Sequence, residues 1–494
     1  MEKDYRITIG LEVHVQLKTK SKMFCGCATT FGAAPNSQTC PVCLGMPGVL
    51  PVMNKRAFEL AVKTALALNC EIAPVTRFDR KSYYYPDLPK NYQISQYDQP
   101  LSRNGWLDVE TSAGTRRIRI RRVHLEEDAG KLIHAGKGSG TPDGVKGPGP
   151  FSCVDLNRTG QPLMEIVSEP DIHSVEELRE YLAAIKRLLV YLDVSNCNME
   201  EGNIRADANI SVQRDADGRE TSTPISEIKN MNSFSAAEKA MAFEAERLAR
   251  RLAEGVTMET HPKETRGWDD DRGVTVAQRQ KEEASDYRYF PDPDLAPVTM
   301  TAEWLAAIRA EIPELPDARQ KRFMREYGLS NTDAGVLTAD RHIADYFEEL
   351  AVQTHDARRA SVWVTQTIMR TLNTENMTIE QLPLHMVNVV EVIQLVAQNT
   401  ISNTSANTVV WPEMIKTGKS AKEIVAEKGL AQVSDTGALD AAIAAVIAKF
   451  PSQVEQFRSG KEGVFNFLVG MVMKETQGKA NPQRVGEMLR KKLS

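Results

Sequence analysis

Several features that would assign this chain quickly are missing. Among 494 residues, 6% are aromatic and only 7 are cysteines. No apolar run reaches the length of a bilayer-spanning helix. The opening Met-Glu-Lys-Asp-Tyr-Arg has neither the apolar core of a secretory signal nor the Arg/Ser-rich make-up of a transit peptide, so a cytoplasmic, bacterial setting is expected. An odd cysteine count without a signal argues against a disulfide framework. There is no Walker A loop. Lys416-Thr-Gly-Lys-Ser420 imitates its end, but Glu413 stands where the opening glycine belongs. A GxSxG elbow and a Ser-His-Asp order are also lacking, which argues against a serine hydrolase. Net charge is −5, so any nucleic-acid binding must come from a local patch.

What is present is organised in blocks. The length calls for two to four domains. Residues 1–295 mix strand-like runs (Arg6–Gln16, Arg116–Val123, Ala208–Gln213) with amphipathic helices at Lys55–Leu68 and Val175–Leu192. Ser174 and Glu177 form a capping box before the second helix. The Gly/Pro-rich stretch Gly136–Pro150 reads as a long loop. Phe290-Pro-Asp-Pro-Asp-Leu-Ala-Pro297 ends this block. Residues 296–412 are helical in pattern, and 413–494 form a small helical tail beyond Trp411-Pro412. The expected fold class is therefore α+β, a β-rich domain followed by helices. Between Lys474 and Ser494 stand six basic residues (Lys474, Lys479, Arg484, Arg490, Lys491, Lys492) against two acidic ones, suiting either a solvated terminus or a phosphate-contacting surface.

Three constellations carry chemistry. Cys25-Gly-Cys27 and Cys40-Pro-Val-Cys43 have the spacing of a tetrahedral zinc knuckle; four thiolates leave no open position, so such a site is structural. Cys70, Cys153 and Cys197 read as small buried apolar residues. The second constellation is acidic: Glu12 and His14 on one face of a strand, then His124-Leu-Glu126-Glu127-Asp128, Glu200-Glu201, Asp207 and Glu227. Carboxylates in apolar strand context are costly unless a cation neutralises them, and oxygen ligands with one imidazole suit Mg²⁺ or Mn²⁺. The third is Lys81-Ser-Tyr-Tyr-Tyr-Pro-Asp-Leu-Pro-Lys90, held extended by its prolines and suited to a polar wall or passage.

These segments, with Ile9–Leu17, Cys40–Gly48, Lys81–Gln96, His124–Lys131, Asp155–Arg158, Glu227–Asn230 and Asp286–Asp292 in register, identify the chain by resemblance. It resembles the B-subunit family of the tRNA-dependent amidotransferase over essentially its whole length. The resemblance implies a β-rich catalytic cradle, a helical domain and a tail that grips tRNA. It implies an ATP-dependent carbon–nitrogen ligase that uses glutamine as amido donor. ATP and Mg²⁺ phosphorylate the side-chain carboxylate of Glu-tRNA(Gln) or Asp-tRNA(Asn), and ammonia from a glutaminase partner, the A subunit, displaces the phosphate. A small C subunit completes a heterotrimer. Carried over by motif, Glu12, His14, Glu127, Asp207 and Glu227 form the Mg²⁺ and phosphoryl-transfer site, with Glu126 the alternative carboxylate of its pair. Lys81, Tyr83 and Lys90 line the ammonia path, Cys25, Cys27, Cys40 and Cys43 hold structural Zn²⁺, and the basic tail residues contact tRNA. The alternative is a non-catalytic, zinc-containing tRNA-binding adaptor.

Overall fold

The structure is a computed structural model that describes residues 5–134, 152–216, 219–278, 287–431, 436–476, 480 and 482–493. The Gly136–Pro150 stretch, Lys479 and Asp286 lie outside the described residues. Two compact units divide the chain, 1–315 and 316–494.

The first unit is built on a 13-stranded sheet. Its centre runs Ser226–Lys229, Ile204–Ala216, Arg6–Gln16, Pro162–Ser168 and Gly114–Glu127, every neighbouring pair antiparallel. Arg6–Gln16 forms over the expected range because its apolar residues alternate. Ile9, Leu11, Val13 and Val15 turn to one face and are buried with Ala208, Ile210, Met164, Ile166, Val123 and Leu125. Three helices contribute to the same core: Lys55–Ala67, Val175–Tyr191 and Phe234–Ala253. With one face so occupied, the alternate residues, Glu12, His14 and Gln16, are left on the other.

Ser174 caps its helix as read, accepting the Glu177 N–H at 3.0 Å. The Glu177 carboxylate, however, accepts from His173 N–H at 2.6 Å, one residue upstream of the cap. Past the proline-rich stretch, Trp304 stacks on Phe58 with ring centroids 5.3 Å apart, and Ile308 is buried in the sheet's core. The first unit therefore extends through the helix Ala302–Ala310 to Leu315, beyond the expected edge at 295.

The second unit is helical and holds two cores. One gathers apolar residues from Phe323 to Val425, the other from Leu439 to Leu493. The helices Trp411–Thr417 and Ala421–Lys428 bury Met414, Ile424 and Val425 in the first of these, so the change of core falls after Leu430 and not at Pro412. Between them Gly418 stops one helix at φ +69° and Ser420 opens the next in a capping box with Glu423. The phosphate-loop imitation is thus a helix stop and start. Cys70 and Cys197 are buried as expected, whereas Cys153 is only half-buried.

Candidate active site

Strand register brings the polar face together. Glu12 lies opposite Asp207 and Val167; His14 lies opposite Arg205 and Glu165; Glu165 lies opposite His124, and Leu163 opposite Glu126. On the other side Ser226–Lys229 sets Glu227 opposite Asn209. Because side chains alternate, Glu12, His14, His124, Glu126, Glu165, Arg205, Asp207 and Lys229 all project to one side. They floor a cleft of about 620 Å³. Its walls carry Lys81, Tyr83, Tyr85, Tyr97, Arg122, Tyr287 and Tyr289.

At the floor, His14, Glu126 and Glu165 offer ligand atoms that lie within 4.8 Å of one another. His14 Nε2 is 3.7 Å from Glu126 and 3.6 Å from Glu165. Two carboxylates this close, one buried and one partly buried, cannot both ionise freely. Burial, then Glu165, pushes the Glu126 carboxyl up. Glu165 is partly buried, but His124 and His14 hold its carboxyl well below the ordinary range. An imidazole with one buried and one partly buried carboxylate is a donor set for a hard divalent cation.

The expected residues separate at this point. Glu127, one residue on from Glu126, points to the opposite side of the strand. Its carboxylate accepts from Ile94 N–H at 2.9 Å and is ion-paired with Lys90. That pair borders a small void of about 20 Å³ together with Phe24, Cys25 and Cys43, away from the cleft. Of the Glu126/Glu127 pair, it is therefore Glu126 that stands with His14. Glu12 lines the cleft and accepts a bond from Asn209 at 3.2 Å, outside the close cluster. Asp207 and Glu227 both pair with Lys229, at 2.9 and 3.1 Å. Burial alone would lower the Lys229 ammonium, but these two carboxylates raise it. Lys81 and Tyr83 line the cleft, with the Lys81 Nζ 4.7 Å from the Tyr287 ring centre. Tyr83 donates to Gln93 at 3.3 Å.

Glu165 is absent from the set of residues the motifs mark. Its signal is nevertheless present: Leu-Met-Glu-Ile-Val embeds one acid in an apolar strand, just as Leu-Glu-Val embeds Glu12. Asp128 is a further buried acid outside the expected site set. It lies against Arg205 at 3.1 Å, Arg158 at 3.5 Å and Gln16 at 2.9 Å.

The four knuckle sulfurs, Cys25, Cys27, Cys40 and Cys43, also lie within 4.8 Å of one another and could hold a zinc-type ion. The hydrogen bond with Cys25 pulls the Cys43 thiol down to about 4, helped by the Lys22 ammonium. Lys22 is fully buried, its Nζ 3.7 Å from the Cys43 sulfur. A buried lysine needs a buried anion, and a thiolate at Cys43 supplies one. Gly45, at φ +66°, has no room for a Cβ: it would sit 2.3 Å from the Lys90 side chain. The knuckle thus packs directly on the residue that holds Glu127.

In the tail, the helix Pro482–Leu493 buries Val485, Leu489 and Leu493. Lys492 bonds Asp440 at 2.9 Å and Arg490 lies 4.8 Å from the Phe465 ring centre. Lys474, Arg484 and Lys491 are exposed.

Residues 7–306 match the family model described as the GatB/GatE catalytic domain, and residues 345–493 the one described as the GatB domain. The chain is 51% identical to the B subunit of the aspartyl/glutamyl-tRNA(Asn/Gln) amidotransferase of Carboxydothermus hydrogenoformans, covering 100% of this chain and 99% of that one. It is 50% identical to the protein of the same name in Moorella thermoacetica, over 99% of this chain and 100% of the relative. The protein of that name in Geobacter sulfurreducens is also 50% identical, over 99% of both chains. With a polar cleft on an α+β scaffold and full-length similarity of this order, the chain belongs to the B-subunit family of the tRNA-dependent aspartyl/glutamyl amidotransferases.

Proposed function

We propose that the cleft activates and amidates the side-chain carboxylate of Glu-tRNA(Gln) or Asp-tRNA(Asn). A carboxylate oxygen attacks the γ-phosphorus of ATP, giving an acyl phosphate and ADP. Ammonia then adds to the acyl carbon, phosphate leaves, and Gln-tRNA(Gln) or Asn-tRNA(Asn) results. The observation that carries this reading is the His14–Glu126–Glu165 cluster at the floor of a cleft that also carries cations. A Mg²⁺ held there would neutralise phosphate oxygens, the main requirement of phosphoryl transfer. Around it the chain's own residues position and neutralise. Lys81 and Arg122 present positive charge from the wall, and the tyrosines offer rigid hydrogen-bonding surfaces. Asp207 and Glu227 act through Lys229, and Glu12 through its bond from Asn209, all outside the closest cluster.

The absence of a serine nucleophile motif agrees with ammonia coming from a partner glutaminase, the A subunit, with a small C subunit completing a heterotrimer. Lys81, Tyr83 and Lys90 are the residues assigned to the ammonia path, and Glu127 joins it through its ion pair with Lys90; a sheltered polar passage would let neutral ammonia travel out of bulk water. Zn²⁺ in the closed cysteine knuckle is structural. The exposed Lys474, Arg484 and Lys491 are proposed tRNA contacts. No described helix is long and apolar enough to cross a membrane, and a cytoplasmic site of action is part of the proposal.

The test is amidation of radiolabelled Glu-tRNA(Gln) and Asp-tRNA(Asn) by this chain with its A and C partners, ATP, Mg²⁺ and glutamine or ammonium. Conversion by wild type that is lost in Glu126→Gln and Glu165→Gln supports the reading. Wild-type conversion that survives both substitutions overturns the catalytic assignment and leaves a zinc-containing tRNA-binding adaptor.

A further inference from the structure

His124 stands behind the His14–Glu126–Glu165 cluster without offering a ligand atom to it. It sits on Gly114–Glu127, directly across from Glu165, and is 3% exposed. Its Nε2 is 3.2 Å from the Glu165 Oε2. Its other ring nitrogen, Nδ1, is buried with no hydrogen-bond partner among the described residues.

This geometry calls for a proton on Nε2. A proton on Nδ1 alone would leave a buried donor unpaired. It would also set the Nε2 lone pair against a carboxylate oxygen. With the proton on Nε2, the ring donates to Glu165 and leaves only an unused acceptor behind it. The His14 contact to the same carboxylate, at 3.6 Å, is too long for a hydrogen bond. Of the two imidazoles beside Glu165, only His124 is within hydrogen-bond distance of its carboxylate.

We propose that His124 is a positioning residue for the metal site: its Nε2–H holds Oε2 of Glu165, so that the carboxylate converges with His14 and Glu126 on one cation. The inference rests on the metal role proposed for that cluster. Residues that orient metal ligands from behind typically change metal affinity by about 10–100-fold when removed. The strand pairing sets two imidazoles opposite Glu165 on this face, His14 on one side and His124 on the other, and His124 is the nearer of the two.

The experiment is titration of Mn²⁺, a paramagnetic stand-in for Mg²⁺, into the zinc-loaded full-length chain, followed by electron paramagnetic resonance. Wild type should show a site that is lost in Glu126→Gln. His124→Leu should weaken it by about 10–100-fold. His124→Gln, whose amide nitrogen can reach the Nε2 position, should recover most of the affinity. His124→Asn, whose amide falls short at the Nδ1 position, should not. Because His124 acts through Glu165, adding His124→Leu to Glu165→Gln should cost nothing further. A folded His124→Leu that binds Mn²⁺ like wild type overturns the proposal, as does a full additional loss in the double variant. If His124→Leu does not fold, the Gln/Asn contrast decides, and equal affinities in those two overturn it. A wild-type chain whose Mn²⁺ binding is indifferent to Glu126→Gln overturns the metal reading itself, a result distinct from the failure of His124 alone.

Discussion

At the scale of the residue, adjacent glutamates have opposite surroundings. Glu126 faces the cleft beside His14, and Glu127 faces Lys90 and the knuckle. Their substitution should separate two activities. Glu126→Gln should abolish tRNA-dependent ATP turnover. Glu127→Gln should retain ATP turnover and lose amide formation from glutamine. Equal effects of both on ATP turnover would contradict the division. Asp128 gives a pH prediction. Burial by itself would raise its carboxyl, but Arg205, then Arg158, and the bond from Gln16 hold it lowered. A carboxyl depressed in the folded state contributes stability above its unfolded value, about 3.9, and that contribution is lost as pH falls through the folded one. Wild type should therefore lose stability as pH drops below about 4, and Asp128→Asn should be weaker at neutral pH with a shallower acid limb. Urea midpoints measured across that range check both. Of these residues the sequence marked the acids by their apolar context. It could not orient them, because which of two neighbouring side chains faces the cleft depends on which face the core helices cover.

At the scale of the element, the cysteine knuckle and the strand face can be compared. The knuckle was legible because its ligands are close in sequence and its chemistry is carried by spacing alone. Its neighbour was not, since the contact of Gly45 with Lys90 joins segments far apart along the chain. Gly45→Ala would place a side chain both at positive φ and against Lys90. It should destabilise the first unit by at least about 1–2 kcal/mol, the left-handed penalty alone, and displace Lys90 from Glu127. Chemical denaturation of the zinc-loaded chain measures the first effect. Chelation of zinc should release four thiolates around the buried Lys22 and lower the melting temperature of the first unit. Unchanged melting after complete zinc removal would show that the cysteines do not serve as a structural metal site.

At the scale of the whole molecule, the cleft is lined wholly by residues between Glu12 and Tyr289, inside the unit that ends at Leu315. The tail has its own core, from Leu439 to Leu493. Deleting residues 436–494 should therefore leave Mn²⁺ binding in the cleft unchanged while weakening tRNA binding, as read by filter retention. A deletion that abolishes metal binding would show that the cleft depends on the tail.

The family, the α+β class, the alternation that puts Glu12 and His14 on one strand face, and the grouping of four cysteines are all legible in the chain's residue order. Each of these is encoded locally, in period-two patterning, short ligand spacing or long motifs in register. That Glu126 and not Glu127 joins His14, that Glu165 completes the cluster, that His124 lies across from Glu165, and that Asp207 and Glu227 share Lys229 emerges with the folded sheet. Those outcomes are set by the register of strands distant in the chain. A shift of one residue in any pairing would turn the same side chains to the opposite face.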